Sequence, residues 1–163
     1  MAKKKLSKLS KVHIQNFWSI LLLIAVSLIF VFIASQDVLA KLSWQKYHSA
    51  NLAILLDRSD ADLAMFIGNY YFNGVIGGGK YNPDIAEKAF KKAVSINPKI
   101  LWGHYQLARI YFVKGEHNRA IEEIAKELEA NPENLRSLYV RGLIYWYRGH
   151  AGDFAKAEAD FER

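Results

Sequence analysis

The 163-residue sequence contains no cysteine and only three prolines. Without cysteine the chain cannot form a disulfide, a thiolate metal site or a cysteine nucleophile. Hydrophobic residues make up 52% of the chain and charged residues 23%, which is unlike the composition of a disordered chain. The length is sufficient for one domain with a sizeable core.

Acidic residues are absent from the first 16 positions, which hold five lysines. These lysines account for most of the net charge of +6 and leave only +1 for the rest of the chain. Nucleic-acid binding requires a basic patch that neutralises phosphates, and a nearly neutral body does not supply one. We therefore predict no nucleic-acid partner and interpret residues 1–16 as a basic tail.

A long apolar run follows the basic tail. Residues 17–34, FWSILLLIAVSLIFVFIA, include only two polar residues, Ser19 and Ser27. As a helix this run would span about 27 Å, close to the hydrocarbon thickness of a bilayer. Trp18 suits the headgroup region, and basic flanks tend to stay in the cytoplasm. We predict a transmembrane helix over residues 17–36, with residues 1–16 cytoplasmic and the remainder periplasmic or extracellular.

Two other interpretations of the apolar run stay open. A cleaved signal peptide also combines a basic start with an apolar core, although that core is usually about 7–15 residues long. A helix buried in a soluble fold is the second alternative, although little in the rest of the sequence could enclose a helix that is apolar on every side.

The body of the chain repeats at a fixed interval. The dipeptides at 97–98 and 131–132 both read Asn-Pro, lie 34 residues apart and enclose LWGHYQLARIYFVKGEHNRAIEEIAKELEA. This segment resembles a tetratricopeptide repeat, which consists of two helices joined by a short turn. His104 stands where the family has tryptophan. The residues that carry the resemblance are Leu107, Ala108, Tyr111, Gly115, Ala120, Ile124 and Pro132.

Two further copies with longer turns flank this repeat. Tyr71 and Ala86 are fifteen residues apart, whereas Tyr111 and Ala120 are nine apart, so the earlier turn holds six extra residues. The corresponding interval in the later copy is twelve, so its turn holds three extra residues. The remaining matching positions are Ala64, Ile67, Gly68, Phe90 and Pro98 in the earlier copy and Leu138, Gly142, Tyr145, Ala157 and Phe161 in the later copy.

The resemblance implies an all-α fold, a right-handed helix-turn-helix solenoid of the tetratricopeptide type preceded by a single transmembrane helix. Residues 59–163 would hold about three repeats, at 59–98, 99–132 and an incomplete 133–163. Small residues at Gly68, Ala108 and Gly142 would let paired helices approach closely. Residues 37–58 would form a linking and capping segment, with one helix over about 38–56 that packs through Ala50 and Ala53.

A glycine-rich stretch imitates a phosphate-binding loop. Residues 74–80, GVIGGGK, match G-x-x-x-x-G-K, but Tyr81 stands where that motif requires serine or threonine. The residues before it have helical rather than strand spacing. Asn82 and Pro83 predict a helix start only after the loop. We interpret this stretch as the lengthened turn of the first repeat and predict no nucleotide binding.

Residues with catalytic or metal-binding chemistry lack a matching pattern. The five histidines show no ligand spacing, and we expect His104 to pack in the core or at an interface between repeats. We therefore predict no catalytic residue, no metal and no cofactor. We expect a solvated face from the acidic residues Glu122, Glu123, Glu127 and Glu129.

The first helices of stacked repeats would expose a concave groove suited to a peptide. We predict a membrane-anchored, non-enzymatic scaffold with a protein or peptide partner. One alternative is an assembly factor, maturation factor or accessory subunit in which these repeats are the N-terminal part of a longer chain. Another is that the groove residues only pack between helices. The candidate groove residues are Met65, Asn69, Trp102, Tyr105, Gln106, Arg109, Arg136, Tyr139 and Trp146.

Overall fold

The computed structural model describes the backbone of residues 2–74 and 80–163 and the side chains of residues 16–74 and 80–163. All regular structure in these ranges is α-helical, as predicted. Residues 75–79 of the glycine-rich stretch and the lysine side chains of the basic tail lie outside the described residues. The helices are α1 (Ala2–Tyr47), α2 (Ala50–Leu56), α3 (Ala61–Phe72), α4 (Pro83–Ile96), α5 (Gly103–Val113), α6 (His117–Ala130), α7 (Leu135–Arg148) and α8 (Asp153–Phe161).

Helix α1 contains both the apolar run and the thirteen residues that follow it, 35–47. It continues without a break because no glycine or proline occurs between residues 2 and 47. The side chains of residues 17–34 are exposed. By length and composition alone, α1 is the one helix among the described residues that is long and apolar enough to cross a membrane.

Residues 38–56 form a helical hairpin, so the prediction of a single helix here is wrong. The chain leaves α1 at His48, whose φ of 49° is left-handed, and Ser49 N–H donates to the Ser43 carbonyl at 3.0 Å. Helix α2 then packs back against the end of α1. The sequence conceals this turn because neither glycine nor proline marks it. Ala50 and Ala53 are buried, as predicted.

The remaining helices form three packed pairs, α3–α4, α5–α6 and α7–α8, and each pair also packs on the next. Helix α4 ends at Ile96 and α6 ends at Ala130, directly before the two Asn-Pro dipeptides, because a residue that precedes proline disfavours the helical region. The short turn of the middle pair contains Gly115, whose φ of 75° suits glycine.

Glycines allow the paired helices to approach closely. A Cβ atom at Gly68 would lie 2.4 Å from Phe90 Cε1, and one at Gly142 would lie 2.4 Å from Phe161 Cε1. Both distances are far below van der Waals contact, so a side chain at either position would have to displace the ring. In the middle pair the corresponding residues, Ala108 and Ile124, are both fully buried.

The hairpin covers the outer side of the first pair. Trp44 of α1 packs edge-on against Tyr70, with ring centroids 5.1 Å apart. It belongs to a separate small core that joins the hairpin to α3 and α4 and consists of Trp44, Ala50, Ala53, Ile67 and Ala89. The main core lies between α3 and α7 and includes Phe90, Leu107, Ile110, Ile124, Leu138 and Ile144.

An ion pair stabilises the turn of the third pair. The Arg148 guanidinium donates from Nε and Nη2 to the two carboxylate oxygens of Asp153, each at 2.7 Å, and the His150 N–H donates to Asp153 at 3.0 Å. The hydrogen bonds from Arg148 are the main reason that the pKa of buried Asp153 falls to about 2. A third nitrogen of Arg148 reaches Asn118 at 2.8 Å and thereby connects the second pair to the third.

Candidate protein-binding cleft

Side chains from the first helices of all three pairs line an open cleft of about 740 Å³. All the predicted site residues except Tyr139 and Trp146 line it. Helix α3 contributes side chains at four-residue intervals, which places them on one helix face. The cleft is lined by Asp62, Met65, Asn69, Asn73, Asn97, Lys99, Ile100, Leu101, Trp102, Tyr105, Gln106, Arg109 and Arg136.

A network of side-chain amides connects α3 and α5 across the cleft. The Asn69 side-chain oxygen accepts from Gln106 Nε2 at 2.7 Å and from Asn73 Nδ2 at 2.8 Å. Arg109 Nη1 donates to Asn73 Oδ1 at 2.9 Å and to Gln106 Oε1 at 2.8 Å. This network fixes the orientation of polar groups before any ligand is bound.

Aromatic rings and guanidinium groups form the other wall of the cleft. The rings of Trp102 and Tyr105 meet edge to face at 5.2 Å. Arg136 lies 5.9 Å from the centre of the Trp102 ring, and Arg109 lies 5.0 Å from the centre of the Phe72 ring. Among the residues that the structure describes, no carboxylate lies within ion-pair distance of either guanidinium. Both charges therefore face the cleft without a fixed counter-ion.

Glu127 supports this wall, although the sequence places it on a solvated face. It is buried, and its carboxylate accepts from the backbone N–H of Tyr105 at 3.2 Å. Tyr105 lies in the first turn of α5, whose N-cap residue, Trp102, makes no side-chain capping bond. Glu127 thus accepts from a backbone N–H at the start of α5. The Trp102 side chain cannot do so, because an indole has no hydrogen-bond acceptor. The sequence did contain a signal for the burial of Glu127. It lies seven residues after buried Ala120, and this spacing places both residues on one face of α6.

His104 lies close to the cleft wall and has a structural partner. Its Nδ1 is 2.6 Å from Glu123 Oε2, which also corrects the expectation that Glu123 belongs to a solvated face. Burial opposes ionisation of Glu123, but hydrogen bonds from Lys126 and His104 outweigh it and lower its pKa. His104 and Glu123 both belong to the second helix pair, so the contact joins α5 to α6 within one repeat. Within the described residues no group of three or more His, Asp or Glu could hold a metal ion.

Tyr139 and Trp146 lie on a different surface from the other predicted residues. They are 57% and 56% exposed, and they line a shallow apolar depression of about 440 Å³. The Tyr139 ring packs against Phe161 of α8 at 5.7 Å. With Leu143 they form a stripe along α7 that adjoins α8, where the Trp146 ring contacts Phe154 at 5.2 Å. We call it the aromatic surface, and it consists of Tyr139, Leu143, Trp146, Tyr147 and Phe161.

Comparison with known proteins agrees with the helical-repeat fold. The profile of the family described as Tetratricopeptide repeat matches residues 103–134. A curated relative from Cryptococcus neoformans var. grubii, the tetratricopeptide repeat and J domain-containing co-chaperone DNJ1, is 29% identical over 90 residues, which are 55% of this chain and 16% of the relative. The chain therefore matches only about a sixth of that relative's length.

Solved structures show the same fold over most of the chain. Two crystal structures of MamA align with TM-scores of 0.55 and 0.56 at 23% identity. Each alignment covers 80% of this chain, and they cover 74% and 73% of the MamA chains. Residues 103–134 therefore match a tetratricopeptide repeat, and the chain has an all-α helical-repeat fold of the tetratricopeptide type.

Proposed function

We propose that this protein is a membrane-anchored scaffold that binds a protein or peptide segment in its cleft, on the non-cytoplasmic side of the membrane. The observation that carries this proposal is the cleft itself, which is open, hydrogen-bonded internally and lined by three successive first helices. A long, open groove fits an extended chain better than it fits a compact small molecule. The co-chaperone role named for the curated relative also supports a protein as the ligand.

The chemistry of the cleft favours a segment rich in hydrogen-bond acceptors. Arg109 and Arg136 can donate to carboxylates or to backbone carbonyls of a bound chain. Trp102 and Tyr105 offer rigid rings against which an apolar side chain of the partner can pack. Asp62 is the one acidic residue of the lining, so the cleft carries a net positive charge.

The anchor is supported by α1, whose apolar run is exposed and follows a basic tail. The reporter is an enzyme that is active only outside the cytoplasm. Fused after Arg163, it should be active. Protease added to the cytoplasmic side of sealed vesicles should leave the repeats intact. Complete digestion from that side would contradict the proposed orientation.

The cleft can be tested with a photo-crosslinking residue at Tyr105 of the full chain in its native cell. Tyr81 is the matched control because it is an exposed tyrosine outside the cleft lining. We expect a discrete protein adduct from position 105 and not from position 81. With that partner purified, Arg109→Ala should weaken binding by about 30-fold, which corresponds to about 2 kcal/mol for a hot-spot residue. Equal adducts at both positions, or no loss of affinity, would overturn the proposal.

A second candidate function is that of an accessory subunit or assembly factor whose partner covers the aromatic surface. The exposed rings on α7 and α8 favour it, because adjoining exposed aromatic residues often mark a protein interface. Trp146→Ala would then abolish partner binding, and Tyr105→Ala would not. The opposite result would favour the cleft.

A further inference from the structure

We propose that the outer face of the α1–α2 hairpin lies in the headgroup layer of the bilayer, so that the first repeat rests on the membrane surface. This inference rests on the membrane anchor of the proposed function and adds a second membrane contact to it. We call the contact the interfacial face, and it consists of Val38, Leu39, Leu42, Leu52 and Leu55.

The interfacial face is aliphatic and uncovered. All five side chains are exposed, and Leu55 is 75% exposed. The opposite sides of the same two helices hold the residues that pack on the repeats, including Trp44 and Ala53. A surface helix in water normally has polar side chains opposite its buried stripe, but here leucines occupy that side of both helices. Adjoining apolar residues of this kind mark a contact with another apolar phase.

Hydrogen bonds fix the height of the hairpin relative to the apolar run. At its far end, Ser49 is tied to Ser43 of α1. At its near end, the Arg58 N–H donates to Asp37 Oδ1 at 2.7 Å, and Arg58 Nη1 donates to Gln36 Oε1 at 3.2 Å. The end of α2 is therefore held beside residues 36–37, where the predicted membrane span ends.

This height matches the thickness of the headgroup layer. A bilayer has a hydrocarbon core of about 30 Å and a total thickness of about 40–45 Å, which leaves about 5–8 Å for each headgroup layer. Leu42 lies five residues beyond Asp37, or about 7.5 Å along the helix. Leu55 lies three residues before Arg58, or roughly 5 Å from residue 37 in height. Val38, Leu39, Leu42 and Leu55 therefore fall within the headgroup layer when residues 17–36 span the hydrocarbon, and Leu52, about 9 Å from residue 37, lies at its outer edge.

The two charged residues of α1 at the same height, Asp37 and Lys41, have partners on the side of the repeats. Hydrogen bonds from the Ser59 hydroxyl and from the Arg58 N–H lower the pKa of Asp37. Lys41 Nζ lies 2.8 Å from Asp60 Oδ2. Paired charges are less costly to place in a partly dehydrated layer than isolated ones. This pairing would let the aliphatic side of the hairpin enter the layer without carrying unpaired charges with it.

The absence of cysteine permits a direct test, since each introduced thiol is the only one in the chain. Single-cysteine variants Leu55→Cys, Leu135→Cys and Leu22→Cys of the full chain are labelled with an environment-sensitive fluorophore and reconstituted in phosphatidylcholine vesicles. Leu135 is the matched control because it is 63% exposed and lies on α7, away from the hairpin. Leu22 lies inside the apolar run and reports on the anchor. Quenching is measured with headgroup spin-labelled lipid and with aqueous iodide.

We expect the label at position 55 to be quenched by the spin-labelled lipid and to be several-fold less accessible to iodide than the label at position 135. If the label at position 22 lies in lipid but the label at position 55 is fully accessible to iodide, the interfacial face does not lie in the headgroup layer. That result would overturn this proposal and leave the anchor intact. An iodide-accessible label at position 22 would overturn both. Shielding of position 55 from iodide without lipid quenching would identify a protein neighbour, such as a second copy of the chain, and would also overturn the lipid assignment.

Discussion

The first and third helix pairs have the same construction but opposite surroundings. The outer side of α3–α4 is covered by the hairpin, which buries Trp44 against Tyr70. The side of α7–α8 that carries Trp146 and Tyr147 is exposed in the described structure. Whether an aromatic residue in this fold is buried or exposed therefore depends on what packs against its repeat. In repeat proteins each unit is stabilised mainly by its neighbours, so the two ends should respond differently to equivalent changes.

The largest difference is expected from the two tryptophans. Trp44→Ala should lower the free energy of unfolding by about 3–5 kcal/mol, because it removes a buried ring and leaves a cavity. Trp146→Ala should change it by no more than about 0.5 kcal/mol, because that ring is exposed. Urea denaturation of the detergent-solubilised chain, followed by circular dichroism, measures both. Equal losses would mean that the aromatic surface is part of the folded core.

A smaller difference is expected from the two close-approach glycines. Gly68→Ala and Gly142→Ala create the same initial clash, but Phe90 is fully buried and Phe161 is 43% exposed. Only the ring of Phe161 has room to move. We expect a loss of about 2–3 kcal/mol for Gly68→Ala and about 1 kcal/mol or less for Gly142→Ala. Thermal melting of the two variants gives the order, and a reversed order would show that the third pair is the more tightly constrained.

Acid should weaken the junction between the first and second pairs. Burial disfavours ionised Glu87, but hydrogen bonds from Lys114 and Lys91 outweigh it and lower its pKa to about 2. A lowered carboxyl pKa contributes stability that is present above about pH 4.5 and is lost as the pH falls towards 2. Water and salt screen the half-exposed Lys91, so we expect an effect of about 1–2 kcal/mol over this range.

Glu87→Gln should flatten the dependence of unfolding free energy on pH between about 4.5 and 2. It should not remove the dependence, since Asp153 of the third pair also has a pKa of about 2. Denaturation curves at several pH values compare the variant with the parent chain. An unchanged slope would show that Glu87 remains similarly paired in the unfolded chain.

The smallest effect is expected at the long turn of the first pair. Lys80 is exposed, so Lys80→Ala should change stability by no more than about 0.5 kcal/mol. Neither the parent nor the variant should bind ATP in equilibrium dialysis. Saturable binding that the substitution removes would show that the glycine-rich stretch holds phosphate after all.

The sequence predicted the features that depend on local chemistry. The Asn-Pro dipeptides end α4 and α6, and Asn82 caps α4 by accepting from Ile85 N–H at 3.1 Å. The resemblance to tetratricopeptide repeats identified the small residues at helix contacts. These features could be predicted because each arises within one helix or from a repeated pattern of side-chain size.

Features that depend on tertiary neighbours could not be predicted in this way. The left-handed turn at His48 has no sequence marker, so the hairpin was not foreseen. Glu127 has a polar side chain but occupies a core position, since its carboxylate satisfies the N-terminus of α5. Trp102 directly precedes α5 and Trp146 lies within α7, and both helices are the first of their pair. Only Trp102 lines the cleft. Recurrence along the sequence does not determine which face of the solenoid a side chain occupies.

The contact between Gly68 and Phe90 has a consequence for how related sequences can diverge. Because neither residue can change size without the other, the two positions should vary together rather than independently. The middle pair already shows a second compatible combination, Ala108 with Ile124. An aligned set of relatives should therefore contain glycine with phenylalanine or alanine with a smaller aliphatic residue at these sites, and seldom a mixture. Covariation at positions 68 and 90 would then reflect how closely the backbones of α3 and α4 approach each other.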